Sequence, residues 1–433
     1  MMLFTSHHGG GRKTRFLTVL DVGSSKIVCL IACLRPLKHA HYLHGRTHSM
    51  EILGFGVQRS RGIKSGVVMD MFAAEQSIRL AVDAAEKMAG LVVDSVIVNF
   101  SSSRLQSALI NGMVRLNGSE VTKRDVRVAF SEVSRKAFDA ERHVMHSVPV
   151  SYVLDGDKGI SDPLGMTGEW LGVDVHVVTA ETASLRNLET CINRAHLSVE
   201  AMVATPFASG LAVLMNEEAH LGAACIDFGG GTTTFSVFFE GKFVHADALA
   251  VGGHHVTLDV ARGFSMSLSE AERLKVVYGS ALPSSADERH MISVAEIGSE
   301  QRETQYPRAV LGRIIRARVE EILEMVRDCL NRSGFGHIIG KRVILTGGAS
   351  QLTGLPEMAR TILGRNVRIG RPLGISRLPS LAKGAAFTSA VGLLIYPQLV
   401  GFEDKTTQAV VNHLSTGARG YFQRVGQWLR ESF

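Results

Sequence analysis

Apolar and polar positions fall in blocks along this chain. Arg15 to Leu20 is an apolar run rich in strand formers, Asp21-Val22-Gly23-Ser24-Ser25-Lys26 interrupts it, and Ile27 to Leu34 resumes it. That pattern predicts strand, turn, strand. Much later Ala223 to Ile226 is apolar, Asp227-Phe228-Gly229-Gly230-Gly231-Thr232 follows, and Thr234 to Phe239 resumes. The second hairpin repeats the first 206 positions on, from Asp21 to Asp227. Each has an aspartate at a strand end and small residues at its tip.

The repetition extends beyond the hairpins. Strands are predicted at Glu51 to Val57 and Gly66 to Met69, then a helix at Ala73 to Ala89 with Ile78, Val82, Ala85 and Met88 down one face. After the second hairpin come a strand at Lys242 to Ala250, Gly252-Gly253 and a helix at Val256 to Arg262. A duplicated chain with helices between strands implies two like-folded α/β halves with a cleft between them.

Two segments break the symmetry. Ser95 to Thr179 reads as a strand (Ser95 to Phe100), another (Gly112 to Arg115), a helix (Thr122 to Ala137) and further strands, enough for a small α+β subdomain. Thr122 and Asp125 have capping spacing. Phe264 to Asn331 is mostly helical, with Ile314/Ile315, Val319, Ile322/Leu323, Val326 and Leu330 as a core stripe. Pro283 to Pro307 within it is a polar loop region with one short strand candidate. Lys341 to Leu345 is a further strand, ending at Thr346-Gly347-Gly348-Ala349-Ser350, and Ala382 to Ile395 is a last helix.

Composition narrows the class. The chain has 433 residues, 45% hydrophobic and 20% charged, which excludes wholesale disorder. Net charge is +6, but the basic residues are scattered and form no nucleic-acid tract. The cysteines Cys29, Cys33, Cys191, Cys225 and Cys329 are dispersed and complete no zinc pattern, which fits buried thiols in a reducing compartment. No run approaches the roughly 18 apolar residues of a membrane span. The 44 glycines, about a tenth of the chain, cluster at the ends of apolar runs.

Those clusters carry the candidate chemistry. A tight turn without bulky side chains lets backbone N–H groups point at an anion. Ser24, Ser25, Thr232 and Thr233 add hydroxyls, and Lys26 adds a charge beside a phosphate. Asp21 and Asp227 sit where they can hold Mg²⁺ through its waters. Either hairpin alone is compatible with a bare turn. As a pair they read as a polyphosphate clamp made of Asp21, Gly23, Ser24, Ser25, Lys26, Asp227, Gly229, Gly230, Gly231, Thr232 and Thr233. Glu272 suits ribose hydroxyls, Lys275 or Arg273 the base, and Gly347-Gly348-Ala349 a nucleoside lying against backbone. The ligand expected is ATP.

The C-terminal tail has a different character. Tyr421, Phe422, Val425, Trp428 and Leu429 recur on one helical face, with Arg419, Arg424 and Arg430 off or beside it. That is the pattern of an in-plane membrane anchor, with docking on the protein's own core as the alternative. Five partly buried side chains contribute about 5–7 kcal/mol gross, so one tail binds reversibly and a row of tails firmly.

The order of two hairpins, a Glu/Lys helix and a late Gly-Gly turn resembles the actin, Hsp70 and hexokinase superfamily. The insertion in the first half, the phrase Ala204-Thr205-Pro206-Phe207-Ala208-Ser209-Gly210-Leu211-Ala212 and the amphipathic tail resemble the FtsA family of bacterial cell-division proteins in particular. The resemblance implies a polymer-forming, ATP-binding protein, peripheral on the cytoplasmic face of the inner membrane at the septum. It implies that the helical subdomain around Phe264 to Asn331 receives the C-terminal tail of the tubulin-like FtsZ, and that 95–179 contacts later division proteins and a neighbouring subunit. Hydrolysis in that superfamily needs a residue that orients the attacking water; the connecting segment near Ser209 offers no Gln or Glu, so Asp227, acting through the metal, is the catalytic candidate, and turnover need be no more than slow. The expected division is a lead (1–14), a first core (15–94 and 180–206) with an SHS2-like insert (95–179), and a second core (207–252 and 341–396) with a helical subdomain (253–340). A linker (397–416) and the membrane helix (417–433) follow. The alternatives are a soluble kinase or chaperone-type ATPase of the same fold, or a pilus-assembly scaffold. The longer connection holding His39, His41, His44 and His48 departs from the family pattern and reads as a surface loop.

Overall fold

The computed structural model describes residues 15–37, 43–137, 139, 141–295 and 303–399. Two sheets dominate it. The first runs Ser198–Ala204, Ser95–Phe100, Arg15–Val22, Lys26–Pro36, His48–Arg59, with Ile375–Ser376 on its edge. The second runs Lys242–Leu249, Thr233–Phe239, Ala223–Phe228, Arg342–Thr346, Asn366–Ile369. In both, the first strand of the half pairs antiparallel with its hairpin partner and parallel with a later strand. The duplication is therefore one of topology as well as of sequence.

The hairpins superpose residue for residue. Val22 pairs with Ile27 in one and Phe228 with Thr233 in the other. The Gly23 N–H donates to the Lys26 carbonyl at 3.1 Å, and the Gly229 N–H to the Thr232 carbonyl at 3.0 Å. Helix Met71–Ala89 lies on the first sheet. Asp70 caps it, accepting from the Ala73 N–H at 3.1 Å, and Gly90 ends it at φ +67°. Ile78, Val82 and Ala85 are buried as its periodicity predicts, but Met88 is exposed.

The insertion folds around its own core. Its four strands are ordered Gln106–Arg115, Trp170–Glu181, Arg142–Leu154, Asp157–Ile160, and helix Lys123–Ala137 covers one face. Thr122 and Asp125 form the predicted cap, with the Thr122 N–H donating to Asp125 Oδ2 at 2.9 Å. A side chain at Gly112 would collide with the Ala129 carbonyl, so glycine sets how close helix and sheet lie. The insert is seated on the remainder of the molecule by buried aromatics and histidines. His176 Nδ1 meets the Phe243 carbonyl oxygen at 2.9 Å, His146 Nε2 accepts from the Ala204 N–H at 2.9 Å, and Phe207 stacks on Phe243 at 4.3 Å.

Several elements differ from the pattern's expectation. Only Val67–Val68 of the Gly66–Met69 run is a strand, paired with Ile63–Lys64, because Gly66 at φ +78° is a turn residue. Pro283 to Pro307 contains two strands, Met291–Ala295 and Glu303–Pro307, which bury Ile292 and Val294. Helix Thr388–Leu399 starts after 3-10 turns and continues through Pro397, where a linker is expected. A proline in the last turn forfeits one hydrogen bond, and burial of the helix offsets it. All five cysteines are buried and unbridged. Among the described residues no helix is long and apolar enough to cross a membrane.

Candidate functional site

A cleft of about 1090 Å³ lies between the halves, within reach of a nucleotide's size. Both hairpins face it, tip to tip. A side chain on Gly230 would press against Ser25, and one on Gly231 would come within 2.5 Å of Ser24 Oγ. Bulk at either position would wedge the tips apart, which is a physical reason for the glycine run. Ser101 and Thr232 hydroxyls meet at 2.8 Å and join the halves at the cleft wall.

The strand ends place Asp21 and Asp227 deep in the cleft with Lys26 between them in charge. Burial pushes the Asp21 carboxyl up to about 6, against the pull of Lys26, and the Asp227 charge adds to the rise. Burial also raises Asp227, opposed by the Ser209 hydroxyl and Lys26. Burial lowers Lys26, opposed by both aspartates. Two carboxylates for one lysine leaves an uncompensated negative charge in a desolvated place. The two are hard oxygen donors at facing strand ends, and this arrangement suits a hydrated divalent cation.

The far end of the cleft is built from helices Gly253–Gly263 and Leu268–Tyr278. The second hairpin's carbonyls are capped by the first of these, with the Gly253 N–H on Gly229 O at 2.9 Å and the His254 N–H on Gly230 O at 2.8 Å. Lys275 Nζ donates to Gly253 O (3.1 Å), Thr257 Oγ1 (2.8 Å) and Glu272 Oε2 (2.7 Å). Burial works to raise the Glu272 carboxyl, but the bonds from Lys275 and Thr257 hold it low. Gly347, at φ +87°, closes the floor, and a side chain there would collide with Asp227 and with the Phe228 carbonyl.

Of the residues singled out from the sequence, Asp21, Gly23, Ser24, Ser25, Lys26, Asp227, Gly229, Gly230, Gly231, Thr232, Glu272, Lys275, Gly347, Gly348 and Ala349 line this one cleft. Thr233 does not. Its hydroxyl donates to the Val251 carbonyl at 2.8 Å, and Thr234 lines the cleft instead. Pairing at Phe228↔Thr233 fixes this alternation. Sequence reasoning passed over Asn99, Ser101, Thr205, His254, Thr388 and Ser389, which also line it. They are dispersed polar residues at strand and helix ends, and no spacing marks them. Tyr421, Phe422, Arg424, Val425, Trp428, Leu429 and Arg430, with residues 400–416, lie outside the described residues. So do His39 and His41. His44 is half-buried, edge-on to Phe238 at 6.0 Å, and burial holds it down to about 4, so it is no surface residue. Among the described residues no cluster of three or more His, Cys, Asp or Glu is arranged to hold a metal.

Comparison with known proteins gives the family. The profile described as "Cell division protein FtsA" matches residues 224–392, and that of the "SHS2 domain inserted in FTSA" matches residues 102–179. The cell division protein FtsA of Rhizobium meliloti (strain 1021) is 57% identical over 98% of this chain and 96% of its own. This chain belongs to the FtsA family. FtsA membership makes it an actin-like bacterial cell division protein. Solved structures show the same fold. The PilM-PilN type IV pilus biogenesis complex aligns with TM-score 0.62 at 18% identity, covering 90% of this chain and 99% of that one. MreB 5 of Spiroplasma citri bound to AMPPNP aligns with TM-score 0.52 at 15% identity, covering 90% and 98%. These carry the actin-like ATPase fold and nothing finer. With an FtsA relative this similar over nearly full length, the metabolic-kinase and pilus-scaffold readings fall away.

Proposed function

We propose that this FtsA-family protein binds ATP with Mg²⁺ in the interdomain cleft, forms polymers, and tethers the FtsZ ring to the inner face of the cytoplasmic membrane, where it recruits later division proteins. The observation that carries the nucleotide reading is the pair of superposable hairpins meeting tip to tip over Asp21, Lys26 and Asp227. MreB 5, of the same fold, was solved with AMPPNP, which supports it. In this reading the backbone N–H groups of both turns and Lys26 bind the phosphates, and Glu272 and Lys275 border the nucleoside with Gly347, Gly348 and Ala349. Asp21 and Asp227 hold the cation through water. Mg²⁺ would supply charge neutralisation at the phosphates. Asp227 would orient water for hydrolysis that is slow at most.

The membrane reading rests on the tail pattern, and the division of the chain at 95–179, 253–340 and 417–433 belongs to the same proposal. The helical subdomain would receive the FtsZ tail, and the insert the later proteins and a neighbouring subunit. Calorimetric titration with MgATP tests the cleft: Asp227→Ala or Gly230→Asp weakens binding, and wild-type affinity in both would overturn the assignment. Co-sedimentation with liposomes tests the anchor. Removal of 417–433 abolishes pelleting and spares ATP binding, and undiminished pelleting would refute it.

A further inference from the structure

Each cleft aspartate is held by a serine on a helix that connects one half of the chain to the other. Helix Thr205–Val213 follows Ser198–Ala204, an edge of the first sheet, yet packs against the strands of the second. Its Ser209 hydroxyl donates to Asp227 Oδ2. Helix Thr388–Leu399 comes last, after the second sheet is complete, yet packs against Arg15–Val22 of the first. Its Ser389 hydroxyl donates to Asp21 Oδ1 at 3.3 Å. The two helices cross in contact, since a methyl group at Gly392 would overlap the Ala208 carbonyl. The exchange is symmetric: Ser209 stands to Asp227 as Ser389 stands to Asp21.

Both helices are buried along nearly their whole length, and Ser209 is wholly inaccessible. A serine there is a poorer helix former than alanine and brings a polar group into an apolar layer. Helical serines commonly turn back to the carbonyl four residues earlier. These two instead spend their hydrogen on the carboxylates. That restricts rotation of each carboxylate about its side-chain axis and ties its setting to the pair of crossing helices.

We propose that Ser209 and Ser389 are positioning residues that orient Asp227 and Asp21 for the metal–nucleotide complex, each from a connecting helix packed on the sheet that carries its aspartate. The inference rests on the reading of the two aspartates as the cation-binding pair. A neutral hydrogen-bond donor to a charged group is typically worth enough for a ten- to hundredfold effect. The test is calorimetry on the full chain with ATP, once in Mg²⁺ and once in EDTA. Ser209→Ala and Ser389→Ala each weaken MgATP binding about tenfold and change metal-free ATP binding less than twofold. Ser389→Thr, which keeps the hydroxyl, restores the metal-dependent part. Ser209→Cys, close in size and a weaker donor, gives a smaller loss of the same kind and serves where the alanine variant does not fold. Equal losses with and without Mg²⁺ would show a merely structural role and overturn the proposal, as would wild-type MgATP affinity in both alanine variants. A wild-type chain that fails to bind MgATP overturns the underlying reading of the cleft, a result distinct from either.

Discussion

The cleft and the joint that seats the insert are both places where separate cores meet, and both bury titratable side chains. They treat them in opposite ways. At the joint burial keeps the histidines neutral and they bond to groups of the fold itself: His176 bonds Phe243 O and Ser107 Oγ, His146 takes the Ala204 N–H, and aromatic rings pack around them. In the cleft two carboxylates share one lysine, and burial raises both. A region whose buried side chains are neutral and bond to the fold itself is built for fixed seating. A region that buries surplus charge beside an open volume is built for something that arrives from outside.

The largest blow to this contrast comes at the cleft floor. Gly347→Val places a branched side chain at φ +87° against Asp227 and the Phe228 backbone, a cost of about 4 kcal/mol or more. Thermal unfolding should show a marked drop in Tm; a Tm within a degree of wild type would mean the floor yields. Acid should strike the joint next. Burial holds His146 and His176 down to about 3, so their stabilisation is full above 6.5 and is lost as pH falls from there towards 3. Each accounts for about 2 kcal/mol between pH 7 and 5. Exchange of insert amides followed against pH checks this, and protection unchanged at pH 5 would contradict it. The cleft's surplus charge predicts a change of opposite sign. The fold raises the Asp21 carboxyl above its ordinary value, so the ionised form costs stability at neutral pH. Asp21→Asn therefore raises nucleotide-free stability by up to about 3 kcal/mol at pH 7 while weakening MgATP binding. A lower Tm for this variant would show that the cleft balances its own charge. The smallest effect lies within the insert: Thr122→Ala removes the Oγ1 that accepts the Asp125 N–H, costs about 1 kcal/mol, and leaves nucleotide binding unchanged. Altered MgATP affinity in that variant would show that insert and cleft are not independent.

Much of the site was legible because its parts are turns. Asp21 and Asp227 each precede a run of small residues at the end of an apolar strand, and repetition of that pattern exposes the pairing. Glu272, Lys275 and Gly347 were found the same way, from helix and strand ends. Thr233 was misjudged because one step along a strand reverses the face a side chain presents. Ser389 and Asn99 were invisible for a different reason. Ser389 meets Asp21 across 368 positions of chain, and Asn99 Oδ1 accepts the Val22 N–H across 77. No local pattern encodes such meetings.

Local pattern by itself determined the strands, the capped helices, the duplicated hairpins and the small-residue turns, since each depends on neighbours within a few residues. Tertiary structure alone decided that the two hairpins meet tip to tip, that the connecting helices change sides, and that a serine on each connecting helix reaches a cleft aspartate. Those contacts depend on how two sheets are brought together. That is settled by packing at Gly392, Ala208 and the glycine tips, residues whose small size permits the approach but does not name its partner.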